Sequence, residues 1–251
     1  MQNIMFIGAC DKGGLLLWLG KVLASAGEKV LVIDATVLQK YQFAIPEISA
    51  GEVQSNKVIE FDGFDVATGF EHSFKEGISI HESLESYFHR NNEHYTSYDY
   101  VFIDVDHTEA LEASLLASWG SISRYALVTN GERYTIQRNA ELLQKLLQDQ
   151  QKDGLQMVRI RYPAADPPVS EAFMEASMEQ LNVVFPDEQD LELYYDEMDY
   201  IAWVRMQYES RLKLRGLSRS TKKILLSVLA AITDLERSSL RLALKAAERG
   251  R

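Results

Sequence analysis

With 251 residues, 46% of them hydrophobic, and a single cysteine, Cys10, the chain can bury the core of one large α/β domain; collagen-like, disordered and disulfide-scaffold architectures are excluded. One thiol suits a reducing compartment, and the start MQNIMFIGAC lacks the basic opening and longer apolar run of a secretory signal, so a cytoplasmic protein is expected. The net charge of −11 argues against broad nucleic-acid binding, yet it is unevenly placed: residues 205–251 hold 12 Lys/Arg against 4 Asp/Glu, whereas residues 1–204 hold 14 against 33.

In chain order, residues 3–7 form a short apolar run ending at Gly8, and residues 29–33 form another ending at Asp34; both read as buried strands. Between them, residues 15–26 are apolar all round with Gly27 as a stop, the pattern of a helix packed on a sheet, which makes a right-handed βαβ unit. Residues 38–95 carry weaker signals, with 57–61 suiting a strand and 80–89 a helix. Then come a strand at 98–103 before Asp104, a helix at 109–119, a strand at 124–129, a helix at 137–151 and a strand at 156–162. A turn-rich break follows at 164–168 and a last short strand at 183–185. The alternation predicts an α/β fold: a doubly wound, mostly parallel sheet flanked by helices, with ligands beyond the carboxyl ends of the strands.

From Ser218 the texture becomes one long helical pattern. Leu225, Val228, Ile232, Leu235, Ser239, Leu242 and Ala246 are spaced alternately by three and four residues, a heptad-like stripe with one polar position. The expected organisation is a domain over 1–215 and a basic C-terminal helical extension over 216–251, with Leu225, Val228, Ile232, Leu235 and Leu242 as a candidate interaction face. The chain's own body, a helical partner or a membrane surface would each cover such a stripe.

Asp11-Lys-Gly-Gly14, set between a strand and a helix and followed by Gly27 and a strand ending in Asp34, resembles the deviant Walker A region of the ParA/MinD family of P-loop ATPases. Members typically read K-G-G-x-G-K-T-T, then a helix ending in L-A-x-x-G, then a strand ending in I-D. Lys12, Gly13 and Gly14 match the opening, and Asp34 matches the aspartate that supports the attacking water and magnesium. Tyr98-Asp-Tyr-Val-Phe-Ile-Asp104 resembles the strand whose last aspartate acts near the magnesium ion. The resemblance extends to about residue 210, more weakly beyond 160, and implies a P-loop NTPase-like fold.

Against the family pattern about five residues are missing between Gly14 and Gly27, and they correspond to the x-G-K-T-T core. A phosphate cradle needs inward-pointing backbone N–H groups, a lysine on the β- and γ-phosphates and a hydroxyl on magnesium. The lysine and hydroxyl positions are gone. Gly20-Lys21 does not replace them, since Leu15 and Val22 stand where the motif wants Gly and Ser/Thr, and Lys21 reads as a solvated helix residue. Ala35-Thr36 after Asp34, and Val105-Asp106-His107 after Asp104, are two further departures. Phosphoryl transfer rests on positioning and electrostatics, so these losses argue against hydrolysis.

Other constellations are weaker. Asp104, Asp106 and His107 suggest a metal site, but Asp106 reads more simply as the cap of a helix starting near Thr108. His72, His81, His89 and His94 show no zinc spacing, and Cys10 reads as a small buried residue with no orienting base. The acidic, aromatic stretch 187–200, with Tyr194, Tyr195 and nearby Trp203, reads either as a contact surface or as half-buried helix faces.

The expected function is a catalytically degenerate pseudo-ATPase that scaffolds or positions a larger assembly, with no catalytic residues, metal or cofactor; Lys12, Gly13, Gly14, Asp34 and Asp104 are its vestigial nucleotide site. Family branches serve pilus, secretion and polar machinery in bacteria. The resemblance implies protein partners, a homodimer or a heterodimer with a relative of the family, and cytoplasmic placement with peripheral membrane contact through the C-terminal helix; nucleic acid is not expected. Two alternatives stay open: weak binding of ATP and Mg²⁺ by an atypical loop, and membrane or DNA association through the basic tail.

Overall fold

The structure, a computed structural model, describes residues 1–45, 57–69, 80–90, 94–112, 116–117, 119, 121–148, 154–164, 168–209 and 211–250. Eight strands build the main sheet: β1 (Gln2–Ile7), β2 (Val30–Ala35), β3 (Lys57–Phe61), β4 (Phe64–Thr68), β5 (Tyr100–Val105), β6 (Ile122–Thr129), β8 (Val158–Ala164) and β10 (Asp190–Tyr194). A separate two-stranded pair joins β7 (Leu155–Gln156) to β9 (Val183–Val184). The main order is β10-β8-β6-β1-β5-β2-β4-β3, parallel throughout except between β3 and β4. This is the expected doubly wound α/β sheet.

Strand periodicity divides the core between two faces. Ile4 and Phe6 of β1, with Val30 and Val32 of β2, point to one side; Met5, Ile7, Leu31 and Ile33 point to the other. The first face is covered by α1 (Gly13–Ala24), α7 (Arg219–Ile232) and α8 (Arg237–Glu248). The second carries α3 (Ile80–Arg90), α4 (Arg133–Gln148) and α5 (Pro168–Met178). Two shorter helices, α2 (Tyr41–Ala44) and α6 (Glu197–Met206), lie toward the carboxyl edge. Among the described residues no helix is long and apolar enough to cross a membrane.

Several expectations need correction. β4 lay unread in the sequence, although Asp62-Gly63 joins it to β3 as a two-residue turn with φ of 51° and 95°, the positive pair a tight hairpin requires. Lys21 is not solvated: it is 5% exposed, and its Nζ donates to the Asp62 carbonyl at 2.9 Å, because the hairpin turn folds over it. The helix expected at 109–119 begins as a 3₁₀ turn, Glu109–Leu111, and residues 113–115 lie outside the described set, as do 165–167 of the expected break. The stretch 187–200 is an edge strand, β10, followed by the start of α6, which Asp196 caps by accepting from the Met198 and Asp199 N–H groups at 2.8 and 3.3 Å.

The long C-terminal helix is two helices broken at 233–236. Leu225, Val228 and Ile232 of α7 are fully buried in the same core as the sheet. The phase then slips: α8 buries Leu240, Ala243, Leu244 and Ala247, Leu235 is half-buried in the break, and Leu242 is 68% exposed. The stripe is therefore not one continuous outward face. Most of it is core.

Candidate functional site at the carboxyl ends of β1, β2 and β5

Three central strands bring the candidate residues together. β2 and β5 run parallel in a register that sets Asp34 opposite Asp104, while β1 runs alongside β5 and leads through Gly8 into Lys12. Lys12, 2% exposed, turns inward: its Nζ lies 2.7 Å from Asp104 Oδ1 and donates to the Gly8 carbonyl at 2.6 Å. The Tyr41 hydroxyl donates to Asp104 Oδ2 at 2.9 Å. The Tyr41 backbone N–H donates to Asp34 Oδ2, also at 2.9 Å, and Asp34 Oδ1 accepts from the Thr36 N–H at 3.2 Å and the Thr36 hydroxyl at 2.6 Å. All four carboxylate oxygens and the ammonium are thus engaged by the chain's own groups.

Electrostatics follow from this burial. Removal from water, and then the nearby Asp104 charge, push the Asp34 carboxyl up to about 7 against the donors of Thr36 and Tyr41. Burial likewise pushes Asp104 up, opposed by Lys12 and the Tyr41 hydroxyl. Burial lowers Lys12, but the Asp104 charge and hydrogen bond, with the Cys10 and Asp106 charges, together outweigh it and raise the ammonium, which stays charged. The same logic pushes the Cys10 thiol, buried against Val128, up to about 12, an inert setting that agrees with a structural cysteine.

Gly13 and Gly14 open α1 without a curled loop. The Gly13 N–H meets the Asp11 carboxylate Oδ1 at 3.2 Å, so a side chain of the chain itself stands at the helix N-terminus that would face an anion. Trp203 of α6 closes the turn from above: a Cβ on Gly14 would stand 2.9 Å from its indole ring. Seating a magnesium-bound triphosphate here requires breaking the Lys12–Asp104 pair, freeing carboxylate oxygens from Tyr41 and Thr36, and moving Trp203. The residues as arranged do not fit that group.

Asp106 does not cap the turn that follows it. Its Oδ1 accepts instead from the Val37 N–H at 2.9 Å and lies 3.2 Å from His107 Nδ1, tying β5 to the loop after β2. Burial would raise this carboxyl, but the His107 contact, Lys12 and the Val37 N–H bring it below its ordinary range. His72 lies outside the described residues, as does the side chain of His81. Among the described residues no group of three His, Cys, Asp or Glu side chains could hold a metal.

Two residues of the site, Tyr41 and Gln39, escaped sequence reasoning, and Trp203 stands out in the sequence only beside the acidic, aromatic stretch 187–200. Tyr41 bridges both carboxylates; Trp203 covers Gly14 from a helix remote in sequence. Gln39, at φ 47°, donates from Nε2 to the Asp34 and Thr36 carbonyls at 2.7 and 2.8 Å, and its Oε1 accepts from the Gly69 N–H at 2.7 Å. No short motif announces a buried amide whose partners come from two strand ends.

The architecture is that of the ParA/MinD-type P-loop ATPases. The MinC:MinD cell division protein complex of Aquifex aeolicus is similar, with a TM-score of 0.56 at 13% identity over 94% of this chain and 97% of that one. A ParA family ATPase from Chlorobium tepidum TLS gives 0.53 at 14% identity over 97% of each chain, and MinD of Aquifex aeolicus gives 0.53 at 11% identity over 94% and 98%. At such identities the likeness is one of fold. No protein-family model matches the sequence, and no curated protein does.

Proposed function

We propose that this chain is a pseudo-ATPase: a ParA/MinD-like fold that acts as a scaffolding or positioning protein in a larger assembly and works by protein association. One observation carries the reading. The ammonium of Lys12 and the four oxygens of Asp34 and Asp104 are all engaged within the chain, where a nucleotide and its magnesium would need them free. The MinC:MinD complex supports a partner-binding role by likeness of fold. A dimer, of two copies or with a relative, belongs to the same proposal.

Titration with millimolar ATP–Mg²⁺, followed by calorimetry and thermal melting, tests it. We expect neither heat nor a shift in Tm, because a ligand at 100 times its Kd would stabilise the fold by about 2.7 kcal/mol. A clear shift, or phosphate release above background, overturns the proposal. Light scattering at micromolar concentration tests the dimer, which a monomer mass would remove.

A second reading has its own observation. Arg237, Arg241 and Lys245 of α8 and Arg249 just past its end lie four residues apart, all exposed, and form a basic row suited to an anionic surface, lipid or nucleic acid. Pelleting with anionic liposomes or with DNA at low salt should then weaken on reversing Arg237, Arg241 and Lys245 to Glu; no pelleting by the native chain ends this reading.

A further inference from the structure

A cavity of about 220 Å³ that reaches Gly14 but neither Lys12 nor Asp104 lies between the ends of β8 and β10, the start of α1 and helix α6. Its walls are aromatic: Trp18, Tyr162, Tyr195, Tyr200 and Trp203, with the two indoles set nearly perpendicular at 6.5 Å between centroids. Its charges are Asp11, Asp196 and Asp199, and among the described residues no Lys, Arg or His lines it. Asp199 is bound to Ser218 and Thr221, Asp11 accepts from the Gly13 N–H and lies 3.9 Å from the Lys40 ammonium, and Asp196 accepts from the first N–H groups of α6, so these three carboxylates give the cavity a net negative lining. Trp18, 3% exposed, lines the cavity beside Trp203.

We propose that this cavity receives an arginine side chain of a partner polypeptide. Aromatic faces combined with carboxylates attract a planar cation, and guanidinium is the protein cation that stacks best. The volume is below the roughly 300–1,000 Å³ of small-molecule pockets and suits one long side chain. Polypeptide is favoured over a free cation because the mouth continues into an exposed shelf of Tyr194, Tyr195, Met198 and Tyr200. Charge complementarity points the same way: residues 186–202 contain seven Asp/Glu and no Lys or Arg. Asp190 and Glu192 are paired with Arg159 and Arg161, which leaves the positions nearer the mouth to meet a cation. The inference goes beyond the scaffold reading and holds whether or not nucleotide binds, so the nucleotide titration and the experiment below can fail separately.

The full-length chain carries three tryptophans, of which Trp119 packs on the opposite face of the sheet and serves as an internal control. Their indole ¹⁵N–¹H resonances are followed during titration with a capped Leu-Ala-Arg-Ala-Leu peptide, its citrulline counterpart, capped single arginine, and adenosine. The arginine peptide should shift Trp18 and Trp203 and leave Trp119 in place. The neutral citrulline peptide and the single capped arginine should each bind about tenfold more weakly, and added salt should weaken the arginine peptide. Tyr200→Ala, at a half-exposed position that leaves the core intact, should weaken it about fivefold. Equal binding of citrulline overturns the cation; equal binding of single arginine overturns the polypeptide. Stronger binding of adenosine, or no response to any probe at about 10 mM, overturns the site itself.

Discussion

Two clusters share the carboxyl edge of one sheet, separated by the width of a helix terminus, and they differ in what they leave over. Around Asp34 and Asp104 the four buried carboxylate oxygens are held inside the chain, three by hydrogen bonds and Asp104 Oδ1 by its ion pair with Lys12 alone. Around Trp18 and Trp203 the walls are apolar and a cavity stays open, with Asp11 and Asp196 at its mouth. The residue types in the first cluster are those of a nucleotide site, yet their hydrogen bonds are already made; the second matches no nucleotide motif, yet has the unfilled space. Capacity to bind depends on what remains unsatisfied, not on which side chains are present.

The largest test breaks the closed cluster. Replacing Lys12 by Met strands a carboxylate that is 3% exposed, and removing one partner of a buried pair costs about 3–5 kcal/mol, read from urea denaturation. A loss below about 1 kcal/mol would mean that Asp104 simply takes up a proton and that the pair is not what closes the site. The next test probes the wall between the clusters. Gly14→Ala drives a methyl into Trp203 and should cost about 1–3 kcal/mol, whereas in a Trp203→Leu background the same change should cost much less. Additive effects would show that Trp203 yields freely and does not close the turn.

How much of this was legible follows from how local each signal is. β1, β2 and β5 are buried on both faces, so their apolar runs stand out, and Lys12, Asp34 and Asp104 fall where strand ends must lie. β10 was opaque because an edge strand reads Asp-Leu-Glu-Leu-Tyr, its acids matched only across the sheet by Arg159 and Arg161 of β8. The hairpin signal Asp62-Gly63 is local, but it stands in a stretch whose periodicity is weak on both sides. Tyr41 and Trp203 lay beyond local reading, since what makes them matter is contact with residues 63 and 189 positions away, respectively Asp104 and Gly14.

A smaller effect comes from proton binding in the closed cluster. The folded carboxyl of Asp34 titrates near 7, above its ordinary 3.8, so between those values the folded chain holds a proton that the unfolded chain has released. Stability must therefore fall as pH rises through that window, by up to about 1.4 kcal/mol per pH unit, and level off above it. Thermal melts should show a higher Tm at about pH 6 than at about pH 8, and Asp34→Asn should remove that difference. If native chain and variant share one slope, Thr36 and Tyr41 hold Asp34 ionised after all.

The smallest effect sharpens the contrast at the molecule's other end. α8 turns Leu240, Ala243, Leu244 and Ala247 into the core and leaves Leu242 two-thirds exposed on the side of its basic row. A side chain that gains nothing from folding loses nothing on truncation, so Leu242→Ala should change stability by less than about 0.5 kcal/mol in urea. Measured across protein concentrations, the same pair separates two accounts of α8. If two copies met through this helix, Leu242 would become their contact, and the loss of stability would grow with concentration as association does. A loss that is small and independent of concentration assigns α8 to the fold of one chain, and any dimer must then form on another face.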